Sequence, residues 1–385
     1  MADETIAAPA RNRFDRMEIA GAFGDLGTLI PFVVAYIGVL KMDPLGVLLA
    51  FGVSMIICGL FYRTPIPVQP MKAAGAIATT QAAQTLVITP AMVWGASLVT
   101  GLVWLILGLT GTARHVGKLV SRPVVLGIIL GLGFNFMIEG GKMMAQNWWI
   151  GGLCLLATCL LLSNRIVPAM FLLLLFGAGY GILSDPSLLT ALKDVHVTFR
   201  APQFALGAIT LNDLLIGAVF LALPQIPLTL GNAVIAITEE NNRLFPNRRV
   251  NENTIANSTG LMNLFSAGIG GVPMCHGAGG MAGHVQFGAR TGGAPIVLGI
   301  VLIFVALLLC DSVGTLMQMF PPPVLGVILF LTGAQLALGS CDLSKDKGER
   351  FVTILTAGLS VWNVGIAFVV GMAGYWLFKR SLLRI

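Results

Sequence analysis

Charge is what this chain has least of. Asp, Glu, Lys and Arg make up only 10% of its 385 residues, against about 25% in soluble domains, so most of its surface does not face water. The N-terminal stretch MADETIAAPARNRFDR has no apolar core, so no cleaved leader is expected. The six cysteines, Cys58, Cys154, Cys159, Cys275, Cys310 and Cys341, fall mostly inside apolar runs. That placement reads as small packing residues and excludes a disulfide framework. Gly111–Leu119, GTARHVGKL, has five residues between its glycines and a Leu after its Lys, so the phosphate-loop pattern fails and no ATPase unit is expected. Cys275, His276 and His284 lack a fourth ligand at zinc spacing, and Cys275 has no base with an orienting partner. The expectation is therefore no metal, no cofactor and no enzyme.

What is abundant is apolar: 56% of the chain is hydrophobic. Many segments approach the roughly 20 apolar residues that cross a bilayer, so the reading is an all-α polytopic membrane protein. Fourteen spans are expected, at 17–40, 44–62, 65–88, 90–110, 121–138, 148–163, 166–183, 211–240, 253–269, 272–287, 292–312, 321–339, 350–361 and 363–380. They divide the chain into a tail (1–16), a first seven-span repeat (17–183), a polar linker (184–210), a second repeat (211–380) and a short tail (381–385).

The basic residues fix the orientation. With the N-terminus in the cytoplasm, the outer loops hold Lys41, Lys142, Lys193 and Arg200, Lys72 lies inside a span, and every other Lys and Arg falls on an inner segment. Cytoplasmic enrichment of Lys and Arg is the usual topological signal. The net charge of +6 thus reports topology, with both termini cytoplasmic in the cell inner or plasma membrane, and no nucleic-acid partner.

The halves echo one another in order. PVVLGIIL at Pro123–Leu130 matches PPVLGVIL at Pro322–Leu329, AGY at 178–180 recurs at 373–375, Pro70-Met71 matches Pro273-Met274, and DLG at 25–27 matches TLG at 229–231. Seven spans per repeat is odd, so the second half enters from the opposite face. Inverted repeats of this kind mark secondary transporters, whose sites lie near the midplane on discontinuous helices.

Two such helices are expected. Pro65, Pro67 and Pro70 lack N–H donors and forbid a regular helix, so 65–70 runs extended for about 16 Å, half of the ~30 Å hydrocarbon core. A helix from about Met71 then begins at mid-membrane with Lys72 in its first turn. Lys72 faces a cavity on this reading; snorkelling to the interface is the alternative. The counterpart, AGIGGVPM, enters from the other face, with a helix expected from about Met274. Two opposed helix N-termini suit anions, and Gly277, Gly279 and Gly280 allow close approach to the backbone. His276 is either a ligand or a satisfied packing residue. Asp25, in GDLGTLIP, is either a helix-end hydrogen-bonding group or a coupling site for a proton or cation. Thr229 and Asn232, beyond an expected break at Pro224 and Pro227, are neutral polar candidates. Glu139, Glu239 and Glu240 read as interfacial.

PIPVQPMKAAGAIA (65–78) and GGVPMCHGAGGMAGHVQFGARTGG (270–293), with GDLGTLIP and NAVIAITEENNRLFP, resemble the molybdate-transporter branch of the sulfate permease (SulP) superfamily. The resemblance spans essentially the whole chain. It implies a 7+7 inverted repeat with core and gate domains, discontinuous spans 3 and 10, an oxyanion site between spans 1, 3, 8 and 10, and a homodimer in the bilayer. By position it brings Gln69, Met71 and Lys72, and Cys275, His276 and Gly277, to that site. No soluble STAS domain is expected after Ile385. The function expected is secondary active transport of molybdate by alternating access. The alternatives are sulfate or another oxyanion, an anion channel or receptor, and a uracil-type permease of the same architecture.

Overall fold

The computed structural model describes residues 11–79, 87–113, 115, 121–161, 169–193, 197, 199–313, 321–338, 344–380 and 382. Most of Gly111–Leu119, Cys341, residues 80–86 of the expected third span, and part of each tail lie outside them.

The elements follow from apolar runs punctuated by proline, glycine and capping side chains. The first span is two helices, α1 (Arg16–Ala22) and α2 (Leu26–Gly38), bent by 50°. Pro31 lies one turn after the bend and denies Gly27 its helical partner. Asp43 caps α3 (Pro44–Tyr62). An extended run then leads into β1 (Gln69–Pro70) and α4 (Lys72–Thr79). There follow α5 (Pro90–Leu109), α6 (Arg122–Met144), α7 (Trp148–Leu161), α8 (Ala169–Ser184) and α9 (Ser187–Lys193).

The second half begins with α10 (Leu211–Leu244), which the sequence reading broke at Pro224 and Pro227. The helix is instead continuous. It widens to π geometry at Gly217–Ala222 and Thr229–Ile235; such widening shifts the hydrogen-bond ladder around residues that cannot donate, without interrupting the span. Next come α11 (Glu252–Gly268), β2 (Met274–Cys275), α12 (Ala278–Gln286) and α13 (Gly293–Leu309). The chain ends with α14 (Pro322–Leu338), α15 (Lys347–Trp362) and α16 (Val364–Lys379).

The second half-helix starts at Ala278 rather than near Met274, because Met274 and Cys275 are held extended by pairing across the molecule. Five helices among the described residues are long and apolar enough to cross a membrane, six if the bent first pair counts as one span. The protein is thus an integral membrane protein of mostly helical fold.

Two groups of helices pack together. In one, α3 lies along α13 and α5 along α11, with α4, α10 and α12 between them; in the other, α6 packs on α14 and α15, and α15 on α16. Lipid tails offer no hydrophobic drive between helices, so close backbone approach over small residues must supply the attraction. Gly52 and Gly299 face each other across α3–α13, and a Cβ on Gly299 would stand 2.6 Å from the Gly52 carbonyl oxygen. Gly133 with Gly333 and Gly140 with Gly326 do the same across α6–α14.

Gly299→Leu is expected to force α3 and α13 apart at a cost of about 1–3 kcal/mol. A lowered thermal midpoint of the purified protein in detergent, against an unchanged one for a lipid-facing Ile300→Leu, would register it.

Candidate functional site

Extended backbone inside a membrane is tolerated only where its polar groups are paired within the protein. Here two extended runs pair with each other. Gln69 lies opposite Cys275 and Pro70 opposite Met274 in a two-residue antiparallel ladder, and Met71 N donates to the Pro273 carbonyl at 2.8 Å. Side chains satisfy what the ladder leaves. Asn263 accepts from Met274 N at 2.9 Å and donates to the Met274 carbonyl at 2.6 Å. Ser266 donates to the Val272 carbonyl at 2.7 Å.

His276 belongs to this scaffold. Its Nδ1 lies 2.8 Å from the Pro67 carbonyl, which can only accept, so Nδ1 carries the proton. Nε2 then accepts from the Ser258 hydroxyl at 2.7 Å, and Ser258 lies 2.6 Å from the Tyr62 hydroxyl. Both ring nitrogens are engaged and the residue is fully buried, the arrangement of a packing histidine. Met71 and Cys275 are also buried in the core around the ladder.

The ladder sets α4 and α12 with their N-termini at the same place. The Gln69 carboxamide lies on Gly280, where a Cβ would stand 2.8 Å from Cδ, and a Cβ on Gly277 would also collide with it. With Gln69 in this position, neither glycine has room for a side chain. Gln69 Nε2 donates to Asp25 Oδ1, while Asp25 Oδ2 and Gln69 Oε1 are buried without a hydrogen-bond partner among the described residues. Lys72 is 8% exposed, and no hydrogen bond or ion pair reaches its ammonium among the described residues. A Cβ on Gly279 would lie 3.9 Å from Lys72 Nζ, and one on Gly277 would lie 3.4 Å from Asn232 Nδ2. The ammonium thus hangs over the first turn of α12. Thr229 joins the cluster indirectly, accepting from Gln225 Nε2 at 2.8 Å.

The structure therefore gathers Asp25, Gln69, Lys72, Asn232, Gly277 and Gly279 around one point. It sets Met71 and His276 in the frame behind that point, while the buried Cys275 thiol lies within electrostatic reach of both Lys72 and Asp25. Such a point presents one cation, one carboxyl group, helix-terminal N–H groups and amides; the cation and the N–H donors are the chemistry that receives an oxyanion.

Sequence reasoning missed Asn263 and Gln225. The signal was a lone amide in each apolar segment, LMNLF and PQIP, the second echoing PVQP around Gln69. Asn263→Leu is expected to leave the Met274 N–H and carbonyl buried without partners, at about 1–3 kcal/mol for each group. A fall in yield of monodisperse protein and in its thermal midpoint would show this, and an unaltered midpoint would deny Asn263 that task.

Comparison with known proteins bears on this geometry. The family model described as "Molybdate transporter of MFS superfamily" matches residues 17–136 and 217–336. Molybdate transporter 2 of Arabidopsis thaliana is 31% identical over 95% of this chain and 88% of its own length. Molybdate transporter 1 of the same plant is 31% identical over 92% and 86%, and that of Chlamydomonas reinhardtii is 25% identical over 93% and 90%. Among solved structures, the transmembrane domain of a cyanobacterium bicarbonate transporter, BicA, superposes with a TM-score of 0.61 at 18% identity, covering 92% of this chain and 97% of that one. SLC26A9 gives 0.66 at 12% identity, covering 94% and 64%.

Proposed function

The chain belongs to the molybdate transporter family, and on that footing we propose that it is a secondary active transporter moving molybdate across the membrane by alternating access. The anion is held between the N-termini of α4 and α12. The observation that carries this reading is the Lys72 ammonium, buried, unpaired among the described residues and hanging over the first turn of α12. Desolvating a tetrahedral dianion is expensive unless oriented donors replace its water. Lys72, the first-turn N–H groups of α12 and Asn232 are such donors, and a helix end adds its dipole.

The architecture read here is a 7+7 inverted repeat, 17–183 and 211–380, joined by 184–210. Support comes from the two family-matched stretches, which begin 200 residues apart. The packing supports it too: α3 on α13 mirrors α11 on α5, and α12 on the first span mirrors α4 on α10. The group containing α4 and α12 is the core and the group containing α6 and α14 the gate. Both termini are cytoplasmic, and the assembly in the bilayer is a homodimer.

Asp25 is the coupling group. One carboxylate and one ammonium balance in the site, and a dianion upsets that balance. A proton or cation taken up at Asp25 Oδ2, buried without a hydrogen-bond partner among the described residues, would restore part of it.

In reconstituted vesicles Lys72→Met is expected to lower both molybdate uptake and molybdate affinity about tenfold or more, the loss of a charge-assisted contact. Unchanged uptake and affinity would remove the proposed site. Counterflow and concentrative uptake are expected of the wild type, and a pore would show neither. Excess sulfate is expected to compete less well than excess unlabelled molybdate, and uracil not at all.

A further inference from the structure

A glutamine carboxamide has an acceptor at one corner and two donors at the other, so its partners decide which way it points. Gln225 stands in α10 between Pro224 and Ile226 and is 1% exposed. Its Oε1 accepts from Ala73 N at 2.8 Å and from Ala74 N at 3.2 Å, in the first turn of α4. Its Nε2 donates to Thr229 Oγ1 at 2.8 Å, one turn along α10. The donors on one side and the hydroxyl on the other fix the oxygen toward α4. Gln225 thus caps α4 from another helix, as an N-cap side chain normally does from the preceding residue.

The other half-helix is not treated alike. The N-cap of α12 is Gly277, which has no side chain to offer. Facing that turn is Lys72, 8% exposed and without a hydrogen bond or ion pair among the described residues. One half-helix end is capped by the chain itself; the other is faced by the Lys72 ammonium, with the Asp25 carboxyl group within its electrostatic reach.

We propose that Gln225 is an internal ligand of the anion site. Its carboxamide oxygen holds two of the α4 donors that a tetrahedral dianion bound between the half-helices takes over, so the side chain and the anion compete for them. The inference rests on reading the half-helix pair as the oxyanion site, and adds a residue that sets affinity by competition. A neutral carboxamide gains less from a helix N-terminus than a dianion does, so the anion displaces it. A carboxylate in the same position would not give way.

Molybdate is titrated calorimetrically into the purified full chain in detergent, as wild type, Gln225→Ala, Gln225→Glu and Lys72→Met. Gln225→Ala is expected to bind about three- to tenfold tighter, the worth of a released hydrogen bond. Its thermal midpoint without molybdate falls below that of the wild type and recovers when molybdate is added. Gln225→Glu, nearly isosteric and still able to cap α4, is expected to bind at least about tenfold weaker at neutral pH. Unchanged or weaker binding by Gln225→Ala, or wild-type binding by Gln225→Glu, overturns the competition while Lys72→Met remains impaired. Wild-type binding by Lys72→Met overturns the half-helix site itself.

Discussion

Everything at the centre of this protein depends on a ladder four residues in extent. Gln69–Pro70 and Met274–Cys275 pair where each chain has left one helix and not yet begun the next. Unpaired amide groups in an apolar interior cost several kcal/mol each, so two broken helices can share such a depth only by satisfying each other. The prolines reduce the demand by removing donors. Asn263, Ser266 and His276 supply partners for the rest, and the first two come from a single helix, α11. The discontinuity is thereby tied to a continuous span beside it, and the two half-helix ends are held in register with one another.

From that register follows the choice of residues around the ends. Gln69, carried on the ladder, lies against α12, and only glycine at 277 and 280 leaves room for its carboxamide. The same placement brings Gln69 to Asp25, linking the bend of the first span to the crossing. Yet the two ends differ chemically although the backbone arrangement is paired: Gln225 caps α4, whereas glycine caps α12 with Lys72 above it. Symmetry in the fold therefore does not carry over to the electrostatics. The charged pair, Lys72 with Asp25 in its electrostatic reach, lies on the α12 side.

How much of this could be read from residues alone depends on whether the cause was local. The extended run before α4 was legible because a proline's missing N–H acts on its own segment. The matching run before α12 contains only Pro273, and its extension through Cys275 is imposed by Gln69 and Asn263, more than 200 and 11 positions away in the chain. The start of that helix was accordingly placed too early. Pro224 and Pro227 pointed to a break, but π widening absorbed them within one helix. The charged and glycine positions, Asp25, Lys72, Gly277 and Gly279, were visible because ions and glycine runs are rare in apolar spans. Gln225 and Asn263 were not, since an amide's importance lies in partners that only the tertiary fold supplies.

The distribution of glycine bears on movement as well as on packing. Within each helix group the contacts are backbone on backbone: Gly52 on Gly299 and Gly59 on Gly292 in one, Gly133 on Gly333 and Gly140 on Gly326 in the other. Such contacts have no side-chain rotamers through which to yield, so each group should hold its shape. Between the groups the contacts run through side chains. Phe32 meets Phe136 edge to face at 5.2 Å, and a Cβ on Gly231 would meet Val125 Cγ1 at 3.1 Å. Side-chain seams can repack at small cost when two rigid bodies slide, whereas glycine seams cannot. Because α4 reaches α6 of the other group, a shift of one group against the other would change what α4 packs on without disturbing the ladder that aligns it with α12.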